Sequence, residues 1–204
     1  MAFDTYNDYH VFHLFPKWEI DKESEDLIRP YLIGGGSLGY SVSAVRRDYP
    51  EHRIGFMYAC NGLNKVAEID DLFDDRLGRY GLLWFPSWHF DIEITDNIGS
   101  SDVTLNIKDI EYSTFFPDTP GTGRHLFFYL KGGSHFEREV TDVPSSTQLT
   151  IDSAFGRAVN MSDIKMSCFL YFGRFDIDEI EWAFPVPTIG ITNLYFQEVP
   201  HEYP

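Results

Sequence analysis

The chain reads as mainly β with one short helix, an α+β protein in which an antiparallel β-sandwich-like domain is interrupted by a small β-barrel-like domain. Three observations carry this reading. From Asp91 to Ile151, short alternating runs (Ile92-Ile94, Val103-Leu105-Ile107, Leu126-Phe128-Leu130, Phe136–Val140, Leu149–Ile151) are separated by turn-forming pairs. Gly99-Ser100, Pro117-Asp118, Gly132-Gly133 and Pro144-Ser145 supply those turns, the pattern of short antiparallel strands. One stretch alone, Asn64–Leu77, places apolar residues at helical spacing. After Ser162, the apolar-rich strand candidates Lys165–Phe172, Ile177–Phe184 and Ile189–Val199 pair back with the N-terminal half. Residues 91–170 are then an insertion into a domain made of residues 1–90 and 171–204.

Taken in order, Tyr9–Ile20 is a strand or extended arm, with Val11, Phe12, Leu14, Phe15 and Trp18 around Pro16. Asp21–Pro30 is charged and reads as a short helix. Gly34-Gly35-Gly36 marks a hinge or tight turn. Tyr40–Asp48 alternates and ends in Arg46-Arg47; with Arg53–Cys60 it forms a hairpin or a pair of adjacent strands, broken at Pro50. In Asn64–Leu77, Val66, Ile69, Leu72 or Phe73, and Leu77 make the apolar face. Asp70, Asp71, Asp74 and Asp75 crowd the other. Asn61 or Asn64 is placed to cap the helix, and Gly78 to close it at C′. Tyr80–Trp88 is dense with aromatic side chains.

The 204 residues suffice for one large domain or two small ones, and for a real core. Net charge is −16, and no Lys/Arg cluster exceeds Arg46-Arg47. Such a surface repels phosphate backbones, so specific nucleic-acid binding is not expected. The acidity serves solubility or a salty medium; the sharper reading is a wall past which DNA slides. Cys60 and Cys168 lie far apart without metal-type spacing and read as free, buried thiols. That suits a reducing cytoplasm. No stretch approaches the roughly 18 apolar residues of a membrane span. Met1–Tyr9 has no positive n-region, so no secretory signal is expected.

Catalytic chemistry finds little purchase. Asp176, Asp178, Glu179 and Glu181 are the best acid cluster, and paired carboxylates can hydrolyse a glycoside. Yet they alternate on a strand candidate in an acid-rich chain, which favours a solvated face. The helical aspartates splay outward, unlike the ligands of a calcium loop. The histidines, His10, His13, His52, His89, His125, His135 and His201, are scattered, with His10/His13 and His89-x-Asp91 as near pairs. Each reads as a surface or core-edge histidine. Gly121-Thr122-Gly123-Arg124 and Gly34–Gly39 lack the Lys-Ser/Thr ending of a phosphate loop. There is no Gly-x-Ser-x-Gly elbow. Trp84, Trp88 and Trp182 could stack on sugar rings, but core or subunit-interface packing is the better reading. No enzyme activity, cofactor or metal is expected.

The order of motifs resembles that of tail-tip proteins of long-tailed bacteriophages. Phe15-Pro16-Lys17-Trp18 opens it, followed by the Arg46-Arg47 strand, the helix, and Gly78-Arg79-Tyr80-Gly81-Leu82-Leu83-Trp84-Phe85-Pro86-Ser87-Trp88. Next come Phe136-Glu137-Arg138-Glu139-Val140, a Gly173-Arg174 turn, and the closing Tyr195-Phe196-Gln197-Glu198-Val199. The resemblance implies a ring-forming distal tail or baseplate component of the virion, assembled in the host cytoplasm. It would be a hexameric or trimeric homo-oligomer joining the tail tube to hub or fibre proteins. Trp18, Tyr80, Trp84, Phe85, Trp88 and Trp182 are the candidate interface. A carbohydrate-binding β module on a virion or cell surface is the alternative, and a glycoside hydrolase the third reading.

Overall fold

The computed structural model describes residues 3–17, 24–28, 31–35, 41–45, 51–116 and 123–204. In chain order the strands begin with β1 (Thr5–Tyr6), β2 (Tyr9–His10), β3 (Ser24–Ile28), β4 (Tyr31–Gly35), β5 (Ser41–Val45) and β6 (Glu51–Asn61). Helix α1 (Leu63–Asp75) and β7 (Leu83–Pro86) follow, then β8 (Thr104–Asn106), the single-turn α2 (Tyr112–Phe115) and β9 (His125–Leu130). The chain closes with β10 (His135–Ser145), β11 (Gln148–Ile151), β12 (Ile164–Phe175), β13 (Ala183–Val186) and β14 (Ile189–Glu198). The fold is mainly β and antiparallel. No closed barrel forms among the described residues.

Two compact units divide the chain. The first comprises Pro16–Leu82 and Gly173–Glu202; the second comprises Phe3–Phe15, Leu83–Phe172 and Tyr203–Pro204. This differs from a division at residues 90 and 170. The reason lies in the second unit's own hydrogen bonds. Val11 bridges Trp84, Phe12 N–H donates to the Trp84 carbonyl at 2.8 Å, and β7 pairs with β12. Leu83–Trp88 of the aromatic stretch and the arm up to Phe15 therefore belong to the second unit.

In the first unit, β6 pairs with β3 on one side and with β14 on the other, in a register running from Asn61↔Ile189 to Arg53↔Gln197. β13 and the last residues of β12 pair with β14. From Ile54 to Tyr58, β6 is buried on both faces. Strand β14 alternates instead, turning Thr192, Leu194, Phe196 and Glu198 inward. Val66, Ile69 and Leu72 are the buried stripe of α1, as the helical spacing requires. Gly190 on β14 admits the helix, since a Cβ there would stand 2.7 Å from Val66 Cγ2 and 3.0 Å from the Trp182 ring.

Several local expectations change. Ser24–Ile28 is a strand, not part of a helix, because β6 offers it a ladder from Ser24↔Gly55 to Ile28↔Glu51. Gly34 and Gly35 end a strand rather than forming a hinge, and β5 pairs with β4 rather than β6. Helix α1 starts after Gly62 with no side-chain cap. Its end is a Schellman motif: Gly78 N–H reaches the Phe73 carbonyl and Leu77 N–H the Asp74 carbonyl, both at 3.0 Å. Leu77 (φ +53°), not Gly78, is therefore the left-handed C′ residue. Gly173-Arg174 lies within β12 rather than in a turn, and residues 176–182 precede β13 as a loop. Trp18, Arg46-Arg47, Gly36–Gly39, Pro117-Asp118 and Gly121-Thr122 lie outside the described residues.

In the second unit the sheet order is β8-β11-β10-β9-β12, all antiparallel. Ile92–Ile94 contributes one bridge, Ile94↔Ile107, in place of a strand. At the N-terminus, Asn7 (φ +46°) and Asp8 (φ +66°) form the two-residue turn of the β1–β2 hairpin. Both central residues have positive φ, a primed-type geometry that asparagine and aspartate tolerate. The core is largely aromatic: Phe12, Trp84, Phe85, Trp88, Phe127, Phe128 and Phe172 are each at most 1 % exposed.

Candidate functional site

The acid cluster lies in the first unit, where the chain leaves β12 at Phe175 and returns as β13. No strand holds residues 176–182, so the expected alternation of acids on a strand is absent. The loop instead walls a groove of about 680 Å³, lined by Arg79, Asp176, Asp178, Glu179, Glu181, Trp182 and, from β14, Thr192, Asn193 and Tyr195. Asp176 is held by two arginines: Arg53 Nε stands 2.5 Å from Oδ2, and Arg79 Nη2 3.7 Å from Oδ1. Arg79 also approaches Asp178 through Nε at 3.2 Å and donates to the Asp176 carbonyl at 3.2 Å. A carboxylate engaged in this way shapes a loop; it is not poised as a general acid. Glu179 and Glu181 are exposed. The resulting surface is acidic with two aromatic rings and suits a polar ligand or a cation better than an anion.

Trp182 is half-buried beside the groove. Its indole N–H donates to Asp70 Oδ1 of α1 at 2.8 Å, and its ring covers Gly190. One helical aspartate is thus a hydrogen-bond acceptor that orients a tryptophan. Tyr80 is 80 % exposed. It lines a smaller hollow with Phe73, Leu77 and Arg174.

The rest of the expected aromatic interface is corrected by burial. Trp84, Phe85 and Trp88 do not form an exposed strip, because β7 lies in the core of the second unit. Trp84 donates its indole N–H to the Tyr6 carbonyl at 2.9 Å and meets the rings of Tyr6, His125, Phe172 and Tyr203. Trp88 packs edge-on against Phe15, Phe127 and Tyr129. Rings already enclosed by their own chain can neither stack on a sugar nor meet a second subunit. The near pair His89-x-Asp91 is structural. Asp91 accepts the Ser87 hydroxyl and the Phe169 N–H, tying the turn to β12, while His89 contributes its backbone N–H to Ser87 Oγ.

His125 and Glu137 are among the strongly shifted titratable groups of the second unit. Burial pushes the His125 imidazole down to about 4, with Tyr6 Oη hydrogen-bonded to its Nδ1 at 3.0 Å. Burial raises the Glu137 carboxyl to about 7, and the nearby Asp4 raises it further. Cys60 and Cys168 are free and buried, and burial raises both thiols, which makes them inert at neutral pH. Among the described residues, the side chains grouped closely enough to hold a metal are Asp4, His13 and His135 of the second unit. Their positions in the chain are too far apart for any spacing motif to reveal them.

Large apolar side chains also remain exposed in the first unit. On β13 no side chain is buried, with Phe184 49 % and Val186 45 % accessible. Leu27 on the edge strand β3 and Leu77 after α1 are more exposed still. No known protein-family model matches this chain, and no curated protein matches it significantly.

Proposed function

We propose that this protein is a structural assembly component, a ring-forming part of a bacteriophage tail tip that joins the tail tube to hub or fibre proteins. The observation that carries the assembly half is β13. Among the described residues its strand partner is β14 alone, and it holds Phe184 and Val186 in solvent. An edge strand with exposed apolar groups is a site for contact with another chain. Pro185 within it and Pro187 beside it withhold backbone donors, so the contact runs through side chains rather than by strand addition. The interface therefore moves from the buried tryptophans to Phe184, Val186, Leu77 and Tyr80. The tail-tip half is supported by the order of motifs from Phe15-Pro16 to Val199.

Light scattering at increasing protein concentration tests this reading. The wild-type chain is expected to form a closed oligomer, and Phe184→Asp with Val186→Asp to yield a folded monomer whose melting temperature no longer depends on protein concentration. A wild-type chain that stays monomeric, alone and when mixed with tail-tube and hub proteins, sinks the proposal.

The groove favours carbohydrate binding as a second reading, since Trp182 and Tyr195 offer ring faces beside carboxylates that can accept sugar hydroxyls. Glycan-array binding abolished by Trp182→Ala would select it over assembly alone.

A further inference from the structure

In the second unit, four ligand-type side chains from two distant stretches of chain converge. Asp4 precedes β1 and His13 follows β2. His135 and Glu137 are two residues apart on β10 and so share a face of the sheet. One ligand atom from each of Asp4, His13 and His135 lies within 4.8 Å of the others. We propose that these three residues hold a divalent transition-metal cation of the zinc class, with Glu137 as an adjacent second carboxylate. The cation staples the N-terminal arm, residues 3–15, onto β10. This site is independent of the assembly reading.

Four arguments support it. The first is spacing. Ligands at 2.0–2.1 Å around a tetrahedral zinc stand about 3.3 Å from one another. His135 Nε2 is 3.3 Å from Asp4 Oδ2 and 3.3 Å from Glu137 Oε1. The second is proton accounting. With both carboxyls ionised, as a cation would hold them, an oxygen of Asp4 and one of Glu137 face one imidazole nitrogen, which carries at most one proton and can donate to only one of them. Glu137 Oε1 is buried and makes no hydrogen bond among the described residues. A buried carboxylate oxygen without a donor is costly, and a shared cation removes that cost. The third is orientation. His13 Nδ1–H donates to the Val11 carbonyl at 3.2 Å, the arrangement that presents the other ring nitrogen of a metal-binding histidine. The His135 ring is stacked on His13 at 4.4 Å and on Phe127 at 5.3 Å, so binding requires one imidazole to turn until both in-plane lone pairs meet the cation. The fourth is ligand type. Two imidazoles with carboxylates select a transition metal over calcium or magnesium, which take oxygen ligands.

The test uses the 204-residue chain, freed of metal by dialysis against a chelator and titrated with Co²⁺, then Zn²⁺. The expected result is one equivalent of Co²⁺ with the visible absorption of tetrahedral cobalt, displaced by Zn²⁺. Asp4→Ala is the decisive variant, because the Asp4 side chain is 69 % exposed and its removal opens no buried cavity. Its metal-free melting temperature should match the wild type, while its affinity for Co²⁺ should fall by more than about 100-fold, beyond the loss typical of outer-shell partners. His13→Gln should show the same loss. Absence of stoichiometric binding to the wild-type chain, or binding unchanged in Asp4→Ala, overturns the proposal.

Discussion

His125 shows how a single buried residue shapes the stability of this protein. It is 4 % exposed, and burial among Tyr6, Trp84 and Tyr203 holds its imidazole at about 4. In the unfolded chain the same group takes up its proton near pH 6.5. The folded-state value is lower, so this stabilisation is fully present above pH 6.5 and is lost as pH falls from there toward 4. The window corresponds to a loss on the order of 3 kcal/mol. Glu137 titrates in the opposite sense, its raised carboxyl favouring the fold at low pH. The comparison must therefore be between the wild type and His125→Gln. Urea unfolding at a series of pH values should show the gap between them closing by about that amount between pH 7 and pH 4.5. A gap constant with pH would refute the assignment. None of this was legible in the sequence. Seven scattered histidines gave no sign of which one is enclosed, just as tryptophan spacing could not distinguish the core rings Trp84 and Trp88 from the half-buried Trp182.

At the scale of elements, α1 was the easiest to read. Its apolar residues recur at one period, and Val66, Ile69 and Leu72 are buried as expected, whereas Leu77, expected on the same face, lies past the helix and is exposed. The strands of the second unit from Thr104 to Ile151 are legible for the same reason, with Gly132-Gly133 at a turn, but Pro144-Ser145, expected as a turn, extends β10, and the turn falls at residues 146–147. Ser24–Ile28 and residues 176–182 were misread because local composition is a weak guide where a neighbouring ladder, or a pair of arginines, decides conformation. The contact of α1 with β14 is testable at Gly190. Gly190→Ala places a methyl 2.7 Å from Val66 Cγ2. The helix must shift, at a cost of about 1–3 kcal/mol. That should appear as a lower urea midpoint, with Val66→Ala in the same chain recovering part of it. Equal midpoints for Gly190→Ala and the wild type would show that the helix yields freely.

For the whole molecule the governing quantities are a net charge of −16 and the apolar side chains left on β13. Copies of the chain repel one another at low ionic strength, while the contact proposed through Phe184 and Val186 is apolar and does not depend on charge. Salt shortens the reach of that repulsion to about 10 Å at 0.1 M and about 3 Å at 1 M. Self-association measured by sedimentation should therefore strengthen as salt is raised. Weakening with salt would mean that the interface is built from ion pairs. Exposure at this scale depends on which face of each strand the rest of the chain covers, and sequence pattern alone does not report it.

By itself the sequence determined the antiparallel, mainly-β class, the helix and most of its buried face, and a net charge of −16. These follow from periodicity and composition, which are local or summed properties. Only the tertiary structure decided that Trp84, Phe85 and Trp88 are core, that residues 176–182 wall a groove, and that Asp4, His13, His135 and Glu137 meet. Those outcomes depend on strand register and chain return, which bring together residues more than a hundred positions apart. No window along the chain contains both partners of such a contact.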